Sequence, residues 1–508
     1  MPTYLSPGVY VEEVPAATRP IAGVGTAVAG FVGFAPQGPF NQPVLVTNWQ
    51  QFTSTFGDMV EDYALAKSIY GFFNNGGGRA YVVRISTGAD ATESPVAELG
   101  TKADKKIPAL RVKALEAGGP NVSVQVQAAP GGEEGAEPNY TVTIKAGDET
   151  ETFTGTVGKG KNNLATQVNT KSKLVKIEAI DAPAELVASG LNEGTVVLAT
   201  PANLPVNVEA AALIGDSAKR TGFSGFETLE EITMILAPDV VVAHAKGLIS
   251  AEDVKAIQTG MITHCELMGN RMAILDLPAG LNAQEASDWR MNVTNFDSKF
   301  AVDYWPWINV FDSTVGKNIA FPPSGHMAGI WSRNDDTRGV FKAPANEIVL
   351  GAVGVEYAVT RGEMDMLNPM GVNSIKSFPG RGIRVWGART LSSDAEWRYV
   401  NVRRYFNYLE ESILQGTQWC VFEPNDERLW GRIRRTISAF LVNEWRSGAL
   451  FGSSPNEAFF VKCDGENNTA ESIDLGMVIV EIGVAPVKPA EFVIFRLSQF
   501  SGGTSISD

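Results

Sequence analysis

Cysteine and histidine are scarce, with three of each among 508 residues. Cys265, Cys420 and Cys463 are odd in number and widely spaced, which excludes a disulfide framework and any zinc-binding spacing and fits synthesis in a reducing cytosol. Positive charge is scarce too. Against 57 Asp and Glu stand 42 Lys and Arg, a net charge of -15, so nucleic acid, whose binding rests on neutralised phosphates, is not an expected partner. No run of about 18 apolar residues is present to cross a bilayer, and the first residues lack the basic and apolar segments of a secretory leader. A soluble chain without membrane insertion is expected. At 44% hydrophobic and 19% charged residues the composition is globular. The length corresponds to roughly three domains.

So few histidines narrow the catalytic options. A hydrolase needs a nucleophile, a base and an orienting acid, and the bases on offer are His244, His264 and His326. Ser324 stands two residues before His326, and Cys265 beside His264, but triad members normally come from distant segments. Gly503-Thr504-Ser505 resembles the serine motif of subtilisins, without a His-Gly partner motif. A dinucleotide fingerprint starts at Gly23 and Gly25 and fails at Val28, and Gly76-Gly77-Gly78 lacks the Gly-Lys-Ser/Thr of a phosphate loop. No catalytic, cofactor-binding or metal-binding residue is assigned, and no cofactor is expected.

What is present is a succession of strand and helix patterns. The stretch LSPGVYVEEV has strand residues, with Val9, Tyr10, Val11 and Val14 the apolar ones, yet the following PAATRP offers no second strand. IAGVGTAVAGFVGF reads as a buried strand, and EDYALAKSIYGFF as a helix stopped by NNGGG ahead of the strand RAYVVRI. From about Ser86 to Leu213 short alternating runs sit between Gly, Pro, Asn and acidic turns, a mostly antiparallel inserted unit with one wet face. Residues 226–350 alternate strand and helix, and KFAVDYWPWINVFD reads as one aromatic strand. A helix from Ser393 to about Gln415, with Ser393 and Glu396 as capping box, precedes a second from about Asn425 to Ser447. MVIVEIG and EFVIFRLSQF, joined by Pro486-Val487-Lys488-Pro489, read as closing strands.

Several segments resemble the contractile tail sheath proteins of bacteriophages and phage-tail-like injection systems: LSPGVYVEEV, FFNNGGGRAYVVRI, GRGIRVWGARTL, FEPNDERLWGRIRRTISAFL, GALFGSSPNEAFFVKCDGENN and APVKPAEFVIFRL. The resemblance implies an α/β core of subtilisin-like fold without catalysis, a β-rich inserted outer domain and extended, strand-exchanging terminal arms. The domains expected are residues 1–20 (arm), 21–85 and 214–390 (core), 86–213 (insert), 391–485 (helical and β) and 486–508 (linker, strand arm and tail). It implies a structural subunit forming stacked hexameric rings around an inner tube protein, with baseplate and tail terminator or cap proteins as further partners. Such a chain is made in the bacterial cytoplasm and ends in a virion tail sheath or an injection apparatus. A non-contractile lattice protein and a subtilisin-like hydrolase are the alternatives.

On that reading the lone N-terminal strand and the C-terminal strand residues Phe492, Val493, Ile494, Phe495 and Leu497 join a neighbouring subunit's sheet. Met477, Val478, Ile479 and Val480 are the expected acceptor strand, and the proline-containing linker is expected to be flexible. On the helix at 425–447, Leu429, Ile433, Ile437 and Phe440 share one face. Arg428, Arg432, Arg435 and Arg446 fall roughly opposite, where either an acidic tube surface or solvent and intramolecular acids would meet them.

Overall fold

The computed structural model describes residues 20–61, 63–86, 94–102, 108–115, 122–129, 138–147, 149–158, 162–180, 190–198 and 208–496. Its centre is an eight-stranded sheet. In spatial order the strands are Gly382–Val385, Val372–Phe378, Ala301–Trp305, Met272–Asp276, Met234–Leu236, Val28–Gly33, Arg79–Arg84 and Val44–Val46. The six inner strands pair in parallel, and the two edge strands are antiparallel. Parallel sheets need both faces covered, and the central strands Val28–Gly33, Met234–Leu236 and Met272–Asp276 are largely apolar to meet that need.

The period of two assigns each residue to a face. Val28, Val32, Ile235, Ala273, Leu275 and Trp305 enter one core with Val254, Ile257 and Met261 of helix Ala251–Met268. Ala29, Phe31, Met234, Leu236, Ile274 and Tyr304 enter the other, with Ile69 and Phe72 of helix Leu65–Asn74 and Met327 and Trp331 of helix Ser324–Arg338. The expected helix before the three glycines is therefore in place; Gly76 adopts φ +106°, which a side chain would resist.

The inserted segment folds as antiparallel sheets, one ordered Gly194–Val197, Val122–Ala128, Asn139–Ala146, Glu149–Thr156, the other Val96–Gly100, Pro108–Ala114, Val175–Ala179. They enclose a core of their own, which includes Val124, Val142, Ile144, Val112 and Ile177. The alternating pattern did not announce the helix Leu164–Lys171, whose Leu164 and Val168 plug this core.

Two expectations are corrected. The aromatic strand is two strands in different sheets, Ala301–Trp305 and Ile308–Asp312, because Pro306 between them has no N–H for a ladder. The first long helix runs Val400–Thr417, not from Ser393. Ser393 Oγ donates to Asp297 (2.5 Å) and the Glu396 N–H donates to Asp394 (2.9 Å), so neither residue caps the helix. The second long helix, Glu427–Arg446, begins as expected, with Asp426 accepting the Leu429 N–H. With the hairpin Phe459–Lys462 and Glu481–Val484, these two helices enclose a fourth core of Tyr405, Leu409, Ile433, Ile437 and Phe440.

Candidate functional site

The histidines are structural. His244 Nδ1 lies 3.0 Å from the Ile249 carbonyl and His264 Nε2 3.3 Å from Arg271 Nη1, with burial lowering His264 to about 4. His326 is buried against Gly71 and Phe321, and burial lowers it to about 4 as well. Ser324 turns its N–H to Asp276 (2.8 Å). Cys265 is buried, with its thiol pushed up to about 12. None of these arrangements pairs a nucleophile with a base. Among the described residues no group of three or more His, Cys, Asp or Glu is placed to hold a metal, and no helix is long and apolar enough to cross a membrane.

The unsatisfied chemistry lies at the C-terminal hairpin. Its strands pair Phe459 with Val484 through Lys462 with Glu481, and together they form an isolated two-stranded sheet. Ala485 donates its N–H to the Ala458 carbonyl, which fixes the alternation: Glu481 and Gly483 face the partner strand, while the backbone groups of Ile482 and Val484 face outward. An open edge of this kind is a template for another strand, and a two-stranded sheet alone is marginal in water.

The expected acceptor is displaced. Met477 to Val480 belong to no strand and precede the one that begins at Glu481. Opposite them the chain curls through the turn at Asp464–Asn468, leaving no backbone ladder to pair with. The Asn468 side chain substitutes for one. It accepts the Ile479 N–H at 2.7 Å and donates to the Ile479 carbonyl at 3.0 Å, as a neighbouring strand would. Val478 and Val480 turn toward the C-terminal core, and the Met477 carbonyl accepts from Asn425 at 2.9 Å.

The donor segment is equally unsatisfied. Phe492, Val493, Ile494 and Phe495 are 71%, 69%, 79% and 83% exposed and belong to no strand. Four consecutive apolar side chains in water mark an interaction site. Leu497, and Val9, Tyr10, Val11 and Val14 of the N-terminal arm, lie outside the described residues.

The roots of both arms are described. Ile21 is buried in the C-terminal core against Gly416, where a methyl group would lie 2.6 Å from it, so glycine is required by close approach. The Val24 N–H donates to Ser412 Oγ at 3.1 Å, and Thr26 Oγ1 to Asp335 at 2.6 Å. At the other root Glu491 accepts from Arg389, Asn368 and Tyr399. Burial opposes its charge, but these hydrogen bonds outweigh burial and hold its carboxyl below the usual glutamate value. Sequence reading passed over Glu491, Arg389 and Asn468, although each lies in a segment that carried the family resemblance.

The basic stripe is divided. Arg428, Arg435 and Arg446 are exposed on helix Glu427–Arg446, about two and five turns apart on one line. Arg432 is occupied within the chain: its guanidinium lies 4.4 Å from the Trp419 ring centre and 3.7 Å from Glu423.

Over residues 235–391 the chain matches the phage tail sheath protein central domain, and over residues 392–500 the phage tail sheath C-terminal domain. It is similar to the tail sheath protein of Burkholderia phage BcepMu, 24% identical over 513 residues covering 96% of this chain and 95% of that protein. It is also similar to the tail sheath protein of Vibrio phage KVP40, 24% identical over 286 residues covering 51% of this chain and 41% of that protein. Its fold resembles the contracted sheath of the extracellular contractile injection system PVC (TM-score 0.58, 24% identity, 98% of this chain and 99% of that one). The contracted helical sheath of the anti-feeding prophage resembles it similarly (TM-score 0.59, 23% identity, 98% of this chain and 100% of that one). The two sheath domains together span residues 235–500, more than half of the sequence, and the chain belongs to the phage tail sheath protein family.

Proposed function

We propose that this protein is the repeating subunit of a contractile sheath, assembling as stacked hexameric rings around an inner tube. A baseplate bounds the sheath at one end and a tail terminator or cap at the other. Contraction drives the tube through a target envelope. The observation that carries this reading is the presence, on one chain, of an exposed apolar strand-like segment, Phe492–Phe495, and an open two-stranded hairpin that it does not occupy. A chain carrying an unpaired donor and an unpaired acceptor polymerises head to tail.

In this scheme the N-terminal arm and the C-terminal segment of neighbouring subunits add strands to the hairpin Phe459–Lys462 and Glu481–Val484. The inserted unit of residues 86–213 lies on the outside of the sheath. Arg428, Arg435 and Arg446 meet an acidic tube surface. Work without nucleotide is drawn from subunit interfaces that repack downhill, and each subunit contributes a few kcal/mol that the lattice sums.

Electron microscopy of the purified chain, expressed with and without its tube protein, tests the proposal. Hollow cylinders with a sixfold helical lattice are expected. Monodisperse monomers under both conditions would overturn it.

A further inference from the structure

The linker before the C-terminal segment, expected from its prolines to be flexible, is fastened to its own subunit. The Phe451 N–H donates to the Ala485 carbonyl at 2.8 Å, the Val487 N–H to the Ala449 carbonyl at 3.2 Å, and Asn401 Nδ2 to the Val487 carbonyl at 3.2 Å. The final fastening is Glu491. Arg389 approaches it with two donors, Nε at 2.9 Å from one carboxylate oxygen and Nη2 at 2.7 Å from the other. Asn368 Nδ2 adds a bond of 2.7 Å and the Tyr399 hydroxyl one of 3.0 Å. One residue later the chain is in water, with Phe492 exposed.

Isolated surface ion pairs contribute little, but this one is bidentate, only partly exposed and saturated by neutral donors, the arrangement that fixes a geometry. Its donors are themselves held. Arg389 Nη1 donates to the Asn368 carbonyl at 3.2 Å, and the Arg389 N–H donates to Asn373 Oδ1 at 2.7 Å. Tyr399 precedes helix Val400–Thr417, whose far end holds Ile21 at the root of the N-terminal arm. One rigid helix thus separates the two arm roots by roughly 25 Å at 1.5 Å per residue.

We propose that Glu491 is a positioning residue that sets where the C-terminal segment leaves the subunit. The pivot of the exchanged strand falls between Glu491 and Phe492, and residues 485–490 travel with their own subunit. This rests on the strand-exchange reading above. Its physical consequence is a restricted search. A linker free from Ala485 onward would let the strand's origin wander by about 20 Å at roughly 3.4 Å per residue, diluting the strand at its acceptor. The clamp removes that freedom and transmits displacement of the subunit body directly to the strand its neighbour holds.

The test compares wild type with Glu491→Ala and Glu491→Gln, reading amide hydrogen exchange in the monomer and the helical rise and twist of cylinders formed with the tube protein. In Glu491→Ala, exchange at Val487 should accelerate about tenfold or more while residues 28–33 stay protected. Cylinders should become short or irregular, and Glu491→Gln, which keeps the volume and part of the hydrogen bonding, should fall between. If Glu491→Ala does not fold, Glu491→Gln alone decides. Wild-type exchange at Val487, or faster exchange with wild-type rise and twist, overturns the positioning role. Absence of cylinders from the wild type would instead overturn the sheath reading, and exchange at Val487 would then decide whether the clamp exists.

Discussion

Arg404 and Asp335 form a two-pronged ion pair, Nη2 to Oδ2 at 2.5 Å and Nη1 to Oδ1 at 2.8 Å, with both side chains almost wholly buried. It joins helix Val400–Thr417 to the core helix Ser324–Arg338. The same two residues bind Thr26, at the root of the N-terminal arm: Arg404 donates to its carbonyl, and Asp335 accepts from its hydroxyl. Removing one partner of such a pair strands the other charge out of water. Asp335→Ala should therefore destabilise the monomer by about 3–5 kcal/mol in chemical denaturation, whereas replacing both residues with apolar ones of similar volume should cost far less.

Deleting residues 1–14 should leave the monomer's melting temperature near the wild-type value, because the truncated chain keeps the root contacts of Ile21, Val24 and Thr26, and should abolish cylinders in electron micrographs. A truncated chain that still assembles would remove the N-terminal arm from the scheme.

Proline separates the hairpin's fold from its use as an acceptor. Ile482 directs its N–H outward, so Ile482→Pro should preserve the pairing with Phe459–Lys462 and block an added strand. Gly483→Pro removes an N–H that faces the partner strand and should disrupt the hairpin itself. Circular dichroism with electron microscopy distinguishes a folded, non-assembling monomer from an unfolded C-terminal region.

Charge reversal addresses the tube. Arg428→Glu with Arg435→Glu should leave the monomer's stability within about 0.5 kcal/mol, since both side chains are exposed. Sheath assembly on tubes should be lost, and assembly on tubes at wild-type level would exclude this face of the helix as the contact.

Stability should rise as pH falls from 8 to 6. Burial raises Asp276 to about 7, and Asp303 and Asp239 to about 6, all above the ordinary aspartate value, so the folded chain binds protons that the unfolded chain does not. Their penalty is present above the folded values and is relieved on acidification, by about 1 kcal/mol per pH unit below 7 for Asp276. His264 and His326 act oppositely. Held near 4 against an ordinary 6.5, they favour unfolding as pH drops below 6.5, so the rise should level off there. Denaturation midpoints at pH 8, 7 and 6 should show the increase in wild type and little of it in Asp276→Asn.

The α/β core was legible because its signals are local and periodic. Strands such as Met272–Asp276 are apolar from Met272 to Leu275, as burial on both faces requires, and the helix Leu65–Asn74 ends where the glycines permit. The capping box at Ser393 was illegible for the converse reason. Ser393 has the right chemistry for a cap, but Asp297, distant in sequence, takes its hydroxyl. Met477–Val480 carries a strand pattern, yet what faces it is the side chain of Asn468 and not a strand.

The sequence by itself determined the apolar faces, the helix Glu427–Arg446, the unpaired strand patterns at both ends and, through the segments between, the family. Tertiary structure alone decided how those strands are held. A linker containing two prolines reads as loose, because local propensity describes a chain in isolation. Its attachment depends on Arg389, Asn368 and Tyr399, brought to Glu491 from about 90 to 120 residues away in the sequence by packing of the core against the C-terminal helices.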